Sequence, residues 1–227
     1  MAARWTNLLL PGVTTVADQV PVYADAWQAS NRIALEADGR LWVVLGDSLS
    51  QGIGASSHLN GWVGQTHVRL RELGRDYRVL NFSKSGATTS DVRHRQLSVL
   101  SRLPHAPAVV TLLVGANDML RRSTRSTLLD NFQEILEQMP SQSVVAYLPQ
   151  PVRLAHRVNA AIDQAARARG FQTVNLRPAA RHFRGHRAAD LFHPNDRGYR
   201  RISDVFVQAM TRDPHDDPTT QADSGHR

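Results

Sequence analysis

From Ala108 to Val114 the chain is apolar at every position except Thr111, with no polar alternation. A strand with one face in water alternates apolar and polar side chains, so an unbroken run of this kind is a strand covered on both faces, as in a parallel sheet. Four further runs fit the same sheet: Leu41 to Leu45, Tyr77 to Phe82, Val144 to Leu148 and Gln172 to Leu176. Between them the apolar residues change to a helical rhythm, with Trp62, Val63, His67, Leu70 and Leu73 ahead of Gly74, then Leu97, Leu100 and Leu103 ahead of Pro104. Ser126 to Met139 and Leu154 to Ala168 repeat the pattern. Strands alternating with helices of this length are βαβ units with right-handed crossovers, which gives an α/β fold: a three-layer α/β/α sandwich around a five-stranded parallel sheet.

The flanks are read in the same way. Tyr23, Trp27 and Ala34 predict a packing helix over about 22–36, with Pro21 near its start and Gly39 beyond its end. A last helix is expected from Asp196 to Met210. Residues 1–212 then make one domain, and the polar stretch 213–227 lacks the apolar content to fold, so a disordered tail is expected there. At 227 residues one full-sized core is the natural outcome.

The chain has no cysteine, which excludes disulfides, thiolate zinc sites and a cysteine nucleophile. Leu8 to Leu10 is cut short by Pro11 and Gly12, far from the apolar core of an export signal, and no run approaches the roughly 18 apolar residues of a membrane span. A soluble, cytoplasmic monomer without an integral membrane segment is expected. The net charge of +7 raises nucleic acid as a partner. Yet Lys84 is the only lysine, the other 26 basic residues are arginines scattered through every segment, and no basic motif interleaved with aromatics accompanies them. Nucleic acid is therefore not expected as a partner.

Three strands end in a turn of small residues, and each turn carries a group that acyl transfer can use. The first is Gly46-Asp47-Ser48-Leu49, which puts the Ser48 hydroxyl beyond a strand's carboxyl end, where open parallel sheets bind ligands. The second contains Gly86, whose missing side chain lets a backbone N–H approach a substrate oxygen. The third contains Asn117, whose amide can donate to an oxyanion. A serine hydroxyl needs a base held in one tautomer by a carboxylate, and Asp190-Leu191-Phe192-His193 supplies both. Pro194 biases His193 away from helical geometry, and Asn195 or Asp196 can cap the helix that follows. Asp47 and Asp118 are assigned to structure, as acceptors of backbone N–H groups. The blander alternatives are an Asn-Asp turn at Asn117 and a solvated, helix-preceding His193.

Phe192, Met119 and Leu120 are the candidate contacts for an acyl group. Arg121, Arg122 and Arg125 read as a solvated helix start, with an anionic or heavily hydroxylated leaving group as the functional alternative. His182, His186 and Asp190 fall four apart, as metal ligands do, but Arg181, Arg184 and Arg187 would repel a cation. No metal and no organic cofactor are expected.

The blocks Gly46 to Leu49, Asn81 to Gly86, Gly115-Ala116-Asn117-Asp118 and Asp190 to His193 resemble, in order, the four blocks of the SGNH (GDSL) hydrolases. That resemblance implies a flavodoxin-like sheet, Ser48 as nucleophile, and His193 as general base oriented by Asp190. It also implies an oxyanion hole made from the Ser48 and Gly86 N–H groups and the Asn117 side chain. The expected activity is hydrolysis of a small-molecule carboxylic ester through an acyl-enzyme. Transfer of the acyl group to a sugar or other alcohol is the alternative, and a catalytically silent ligand- or nucleic-acid-binding domain is a more distant one. Neither the helix before Leu41 nor the tail after Asp213 is covered by the resemblance.

Overall fold

The computed structural model describes residues 11–180 and 185–212. Five strands, β1 (Leu41–Gly46), β2 (Arg78–Asn81), β3 (Val109–Leu113), β4 (Ser143–Ala146) and β5 (Gln172–Val174), form one sheet in the order β2-β1-β3-β4-β5. All four neighbouring pairs are parallel, with Val43 of β1 in register with Leu80 on one side and Val110 on the other. This is the flavodoxin-like order, which places the chain's switch point at the carboxyl end of β1.

Five longer helices surround the sheet: α1 (Pro11–Glu36), α2 (Trp62–Glu72), α3 (Leu128–Gln138), α4 (Arg153–Arg169) and α5 (Asp196–Thr211). Val43, Leu45, Val110, Leu112 and Val145 point to one face and pack with Phe132 and Ile135 of α3 and Val158 and Ile162 of α4. Trp42, Val44, Val109, Leu113 and Val144 point to the other, where α2 and α5 bring Trp62, Leu70, Tyr199 and Phe206. Both faces are covered, which is why these strands carry no polar alternation. Thr111, the one polar side chain in β3, accepts a hydrogen bond from the Trp42 indole at 3.0 Å.

α1 departs from expectation. It begins at Pro11 instead of near Val22, and Pro21 lies inside it. Proline cannot donate to the carbonyl four residues back, but both Pro21 and Ala17 are exposed, so water can serve that carbonyl. Tertiary contacts of Val16 and Tyr23 with Ile53 and Ala188 offset the loss. Farther along, α1 covers the open edge of β2. The Asn31 amide donates to the Asn81 carbonyl and accepts from its N–H, both at 2.8 Å, as a neighbouring strand would.

The helix expected between Ser90 and Leu103 is also more complex. A capped turn, Thr89–Asp91, runs into a wide π turn, Val92–Gln96, and then a tight 3-10 segment, Leu97–Arg102. The tail expected from residue 213 onward lies outside the described residues. Among the described residues no helix is long and apolar enough to cross a membrane.

Candidate active site

The site is built on loops at the carboxyl edge of the sheet. β1 ends at Gly46 with φ 154°, and a Cβ there would stand 2.3 Å from the Leu113 carbonyl oxygen, so no other residue fits. The Gln96 side chain clasps this point from both sides, accepting from the Gly46 N–H at 2.8 Å and donating to its carbonyl at 2.9 Å. The wide π turn delivers Gln96 there. Asp47 then caps a one-turn helix, Ser48–Gln51, by accepting from the Leu49 N–H at 3.0 Å. Ser48 is the first residue of that turn, with 8% of its surface exposed.

Beside it stands His193, whose Nε2 is 3.0 Å from Ser48 Oγ. Its Nδ1 is 2.6 Å from Asp190 Oδ2. The other carboxylate oxygen, Asp190 Oδ1, accepts from the backbone N–H groups of Phe192 and His193, each at 3.0 Å. This wrapping requires a reversal at Leu191, whose φ of 57° makes it the single non-glycine residue in the left-handed region among those described. Burial alone would raise the Asp190 pKa, but the His193 ring and the two N–H donors outweigh it and hold the carboxyl below its ordinary value. The loop is closed behind the histidine, where the Ala188 N–H donates to the His193 carbonyl at 2.8 Å. Asn195 caps α5 through its side chain.

Asn117 lies in another one-turn helix, Ala116–Leu120, directly after β3. Its Nδ2 donates to the Ala87 carbonyl at 2.9 Å, which ties the β3 loop to the Gly86 loop and leaves the second amide hydrogen for a ligand. Gly86 has φ 76°. Among the described residues its N–H donates to no protein acceptor. Asp118 is fully buried and holds the same loop, accepting from the Thr89 N–H at 3.0 Å and its hydroxyl at 2.7 Å. Asp47 and Asp118 thus occupy the structural positions expected of them.

Two positioning residues escaped the sequence reading. Gln51 accepts from the Ser85 N–H at 2.8 Å, joining the Ser48 turn to the Gly86 loop. Gln96 is the second. Their partners lie 34 and 50 positions away, so no local spacing signals them.

A cavity of about 210 Å³ opens beside Ser48 and Asn117, with Leu49, Ala116, Pro149, Leu176, Phe192 and Ile202 among its mostly apolar walls. Phe192 therefore lines it as expected, while Met119 and Leu120 do not. Met119 packs down against the core and Leu120 is 65% exposed. The helix turn that presents Ala116 and Asn117 to the cavity carries the next apolar side chains away from it. Further wall comes instead from the ends of β4 and β5 and from α5, through Pro149, Leu176 and Ile202. His182 lies outside the described residues, and Asp190 is engaged with His193. Among the described residues no cluster of three or more histidine or acidic side chains could hold a metal ion.

Sheet order, a serine, histidine and aspartate in file, and an asparagine loop together define an SGNH-type α/β fold. The chain belongs to the GDSL-like lipase/acylhydrolase family, whose model matches residues 44–201. It is 31% identical over 113 residues to esterase TesA of Pseudomonas aeruginosa, a match spanning 50% of this chain and 55% of that protein, about half its length. A solved TesA structure superposes with a TM-score of 0.64 at 24% identity, covering 76% of this chain and 98% of the other. The psychrotrophic esterase EstA from Pseudoalteromonas, in a form inhibited by monoethylphosphonate, gives 0.62 at 22%, covering 76% and 97%. The acetylxylan esterase Axe2 from Geobacillus stearothermophilus gives 0.59 at 16%, covering 78% and 97%. At these identities the structural likeness establishes the fold alone. α1 lies ahead of the matched segment.

Proposed function

We propose that this chain is a serine esterase that hydrolyses carboxylic esters through an acyl-enzyme. The observation that carries the reading is the unbroken file Asp190–His193–Ser48, with contacts of 2.6 and 3.0 Å. Asp190 holds the proton of the neutral imidazole on Nδ1, leaving the Nε2 lone pair facing Ser48 Oγ. As Oγ attacks the ester carbonyl, Nε2 takes its proton, and the carbonyl oxygen becomes an oxyanion facing the Ser48 and Gly86 N–H groups and the Asn117 amide. Collapse breaks the bond to the alcohol, which leaves with the proton from His193. Water then repeats the sequence, with His193 as base, and releases the acid.

The apolar cavity beside Ser48 suits the acyl chain. Its volume of about 210 Å³ suits short to medium acyl chains. The named relatives are esterases, in keeping with this reading. Transfer of the acyl group to an alcohol would use the same steps with that alcohol in place of water, and no feature of the site favours it.

The test is a panel of 4-nitrophenyl esters of rising chain length, together with labelling by a fluorophosphonate. Activity confined to wild type, with Ser48→Ala folded but neither active nor labelled, is the expected outcome. Labelling that persists in Ser48→Ala would move the nucleophile elsewhere.

A further inference from the structure

We propose that Arg121, seconded by Lys84, makes this site select esters whose alcohol carries a negative charge, such as a phosphate- or sulfonate-bearing alcohol. The inference rests on the esterase reading above. Arg121 follows the Asn117 turn directly, and its backbone N–H donates to the Asn117 carbonyl at 3.1 Å. Its side chain reaches across to the neighbouring loop, where Nη2 lies 3.5 Å from the position a Cβ on Gly86 would take. A guanidinium therefore sits at the junction of the two loops that carry the oxyanion donors. Lys84, two positions before Gly86, is exposed on the same loop.

Three neighbouring cations differ from Arg121. Arg93 is paired with Glu134, Arg95 lies 3.6 Å from Asp91, and Arg125 donates to the Met119 carbonyl. Among the described residues Arg121 has no acidic partner, whereas Lys84 lies near enough to Asp91 to interact with its carboxylate electrostatically. One positive charge without an acidic partner, that of Arg121, thus flanks the Gly86 loop, where it can attract an anionic group on a ligand.

The apolar cavity accounts for the other half of the ester. Its walls come from the loops after β1, β3, β4 and β5, the His193 loop and α5, and include neither Gly86 nor Arg121. With the acyl chain in the cavity the alcohol lies outside it, and Arg121, which does not line the cavity, is a cation beside the Gly86 loop that the alcohol can meet there. Arginine suits this task because its planar fork matches the oxygens of phosphate, sulfonate and carboxylate. The site is solvent-exposed, so the preference is modest and falls with ionic strength.

The experiment compares kcat/KM for phenyl acetate and 4-sulfophenyl acetate with the full-length protein, in wild type, R121Q, R121E and K84Q. Because each variant is scored by the ratio of the two esters, intrinsic differences in leaving-group reactivity cancel. We expect R121Q to lower the sulfophenyl-to-phenyl ratio by about two- to fivefold, R121E to lower it further, and K84Q to lower it less. In wild type the ratio should also fall between ~20 and ~500 mM NaCl. A ratio unchanged in both Arg121 variants overturns the proposal, as does a wild-type ratio indifferent to salt. Wild-type inactivity on both esters overturns the esterase reading itself, and this inference with it.

Discussion

Asn117 carries two duties on one amide group. One hydrogen of Nδ2 is spent on the Ala87 carbonyl at 2.9 Å, and this bond holds the Gly86 loop beside it. The other is the oxyanion donor in the proposed reaction. An interaction strengthened only as charge develops lowers the turnover number and leaves ground-state binding alone. Asn117→Ala is therefore expected to reduce kcat by roughly 10²–10³ with KM within a few-fold of wild type. Steady-state kinetics beside thermal melting separate the two duties, since a merely loop-closing asparagine would lose stability and activity in proportion. Leu191 shows the same economy in the backbone. Its left-handed φ of 57° carries about 1–2 kcal/mol of strain for a residue with a Cβ, offset by the two N–H bonds to Asp190 that the reversal permits.

At the scale of elements, α1 deserves to be counted as part of the site although the family match begins only at residue 44. One face of this helix meets the Ser48 loop with a series of side-chain clamps. The Gln19 amide donates to the Ala55 carbonyl at 3.0 Å and accepts from the Gly54 N–H at 2.7 Å. Tyr23 donates to the same Ala55 carbonyl at 2.7 Å, and the Trp27 indole to the Gln51 carbonyl at 3.0 Å. Gly54 in turn backs against His193, where a Cβ would stand 2.7 Å from the histidine's own. Gln19→Leu would strand the Gly54 N–H in a partly buried place, and a loss of about 1–3 kcal/mol is expected. Urea denaturation measures that loss, and hydrogen exchange should accelerate selectively over residues 49–58. A uniform change in exchange across the chain would show that α1 braces the whole fold and not this loop.

How much of this was legible follows from the range over which each signal acts. The strand ends were legible because a covered strand breaks abruptly into a glycine or an asparagine, and Ser48, Gly86 and Asn117 sit at those breaks. Asp190 and His193 were legible because three residues of a turn bring them together. The early start of α1 was hidden by Pro21, whose penalty as a helix interior residue is offset by contacts with Ile53 and Ala188 far along the chain. The amide clamps of Gln19, Gln51 and Gln96 were hidden for the same reason. The cavity wall was misplaced onto Met119 and Leu120 because nearness in sequence to Asn117 stood in for nearness in space. Pro149, Leu176 and Ile202 reach the site only when β4, β5 and α5 assemble around it.

Taken as a whole molecule, the fold keeps acidic groups buried beneath its active edge. Burial raises Asp118, against the hydrogen bonds from Thr89 that lower it, and burial raises Tyr199 well above its usual range with the charges of Asp47 and Asp190 adding to the effect. Asp47 is the most exposing case for stability. Burial, opposed by the Leu49 N–H and reinforced by Asp118, pushes its carboxyl from 3.8 up to about 7. In the unfolded chain the group ionises near its ordinary value, so between about pH 4 and 7 the folded state binds the extra proton. Stability accordingly falls as pH rises through that window, contrary to the usual behaviour of a paired carboxylate. Asp47→Asn keeps an oxygen to accept from the Leu49 N–H and removes the titration. The variant should therefore lose less stability than wild type between about pH 4.5 and 7.5, and the two curves should diverge as pH rises. Urea midpoints measured across that range at fixed ionic strength decide the matter. Parallel curves for the two proteins would mean that Asp47 is already ionised at low pH and that another group sets the pH dependence of the fold.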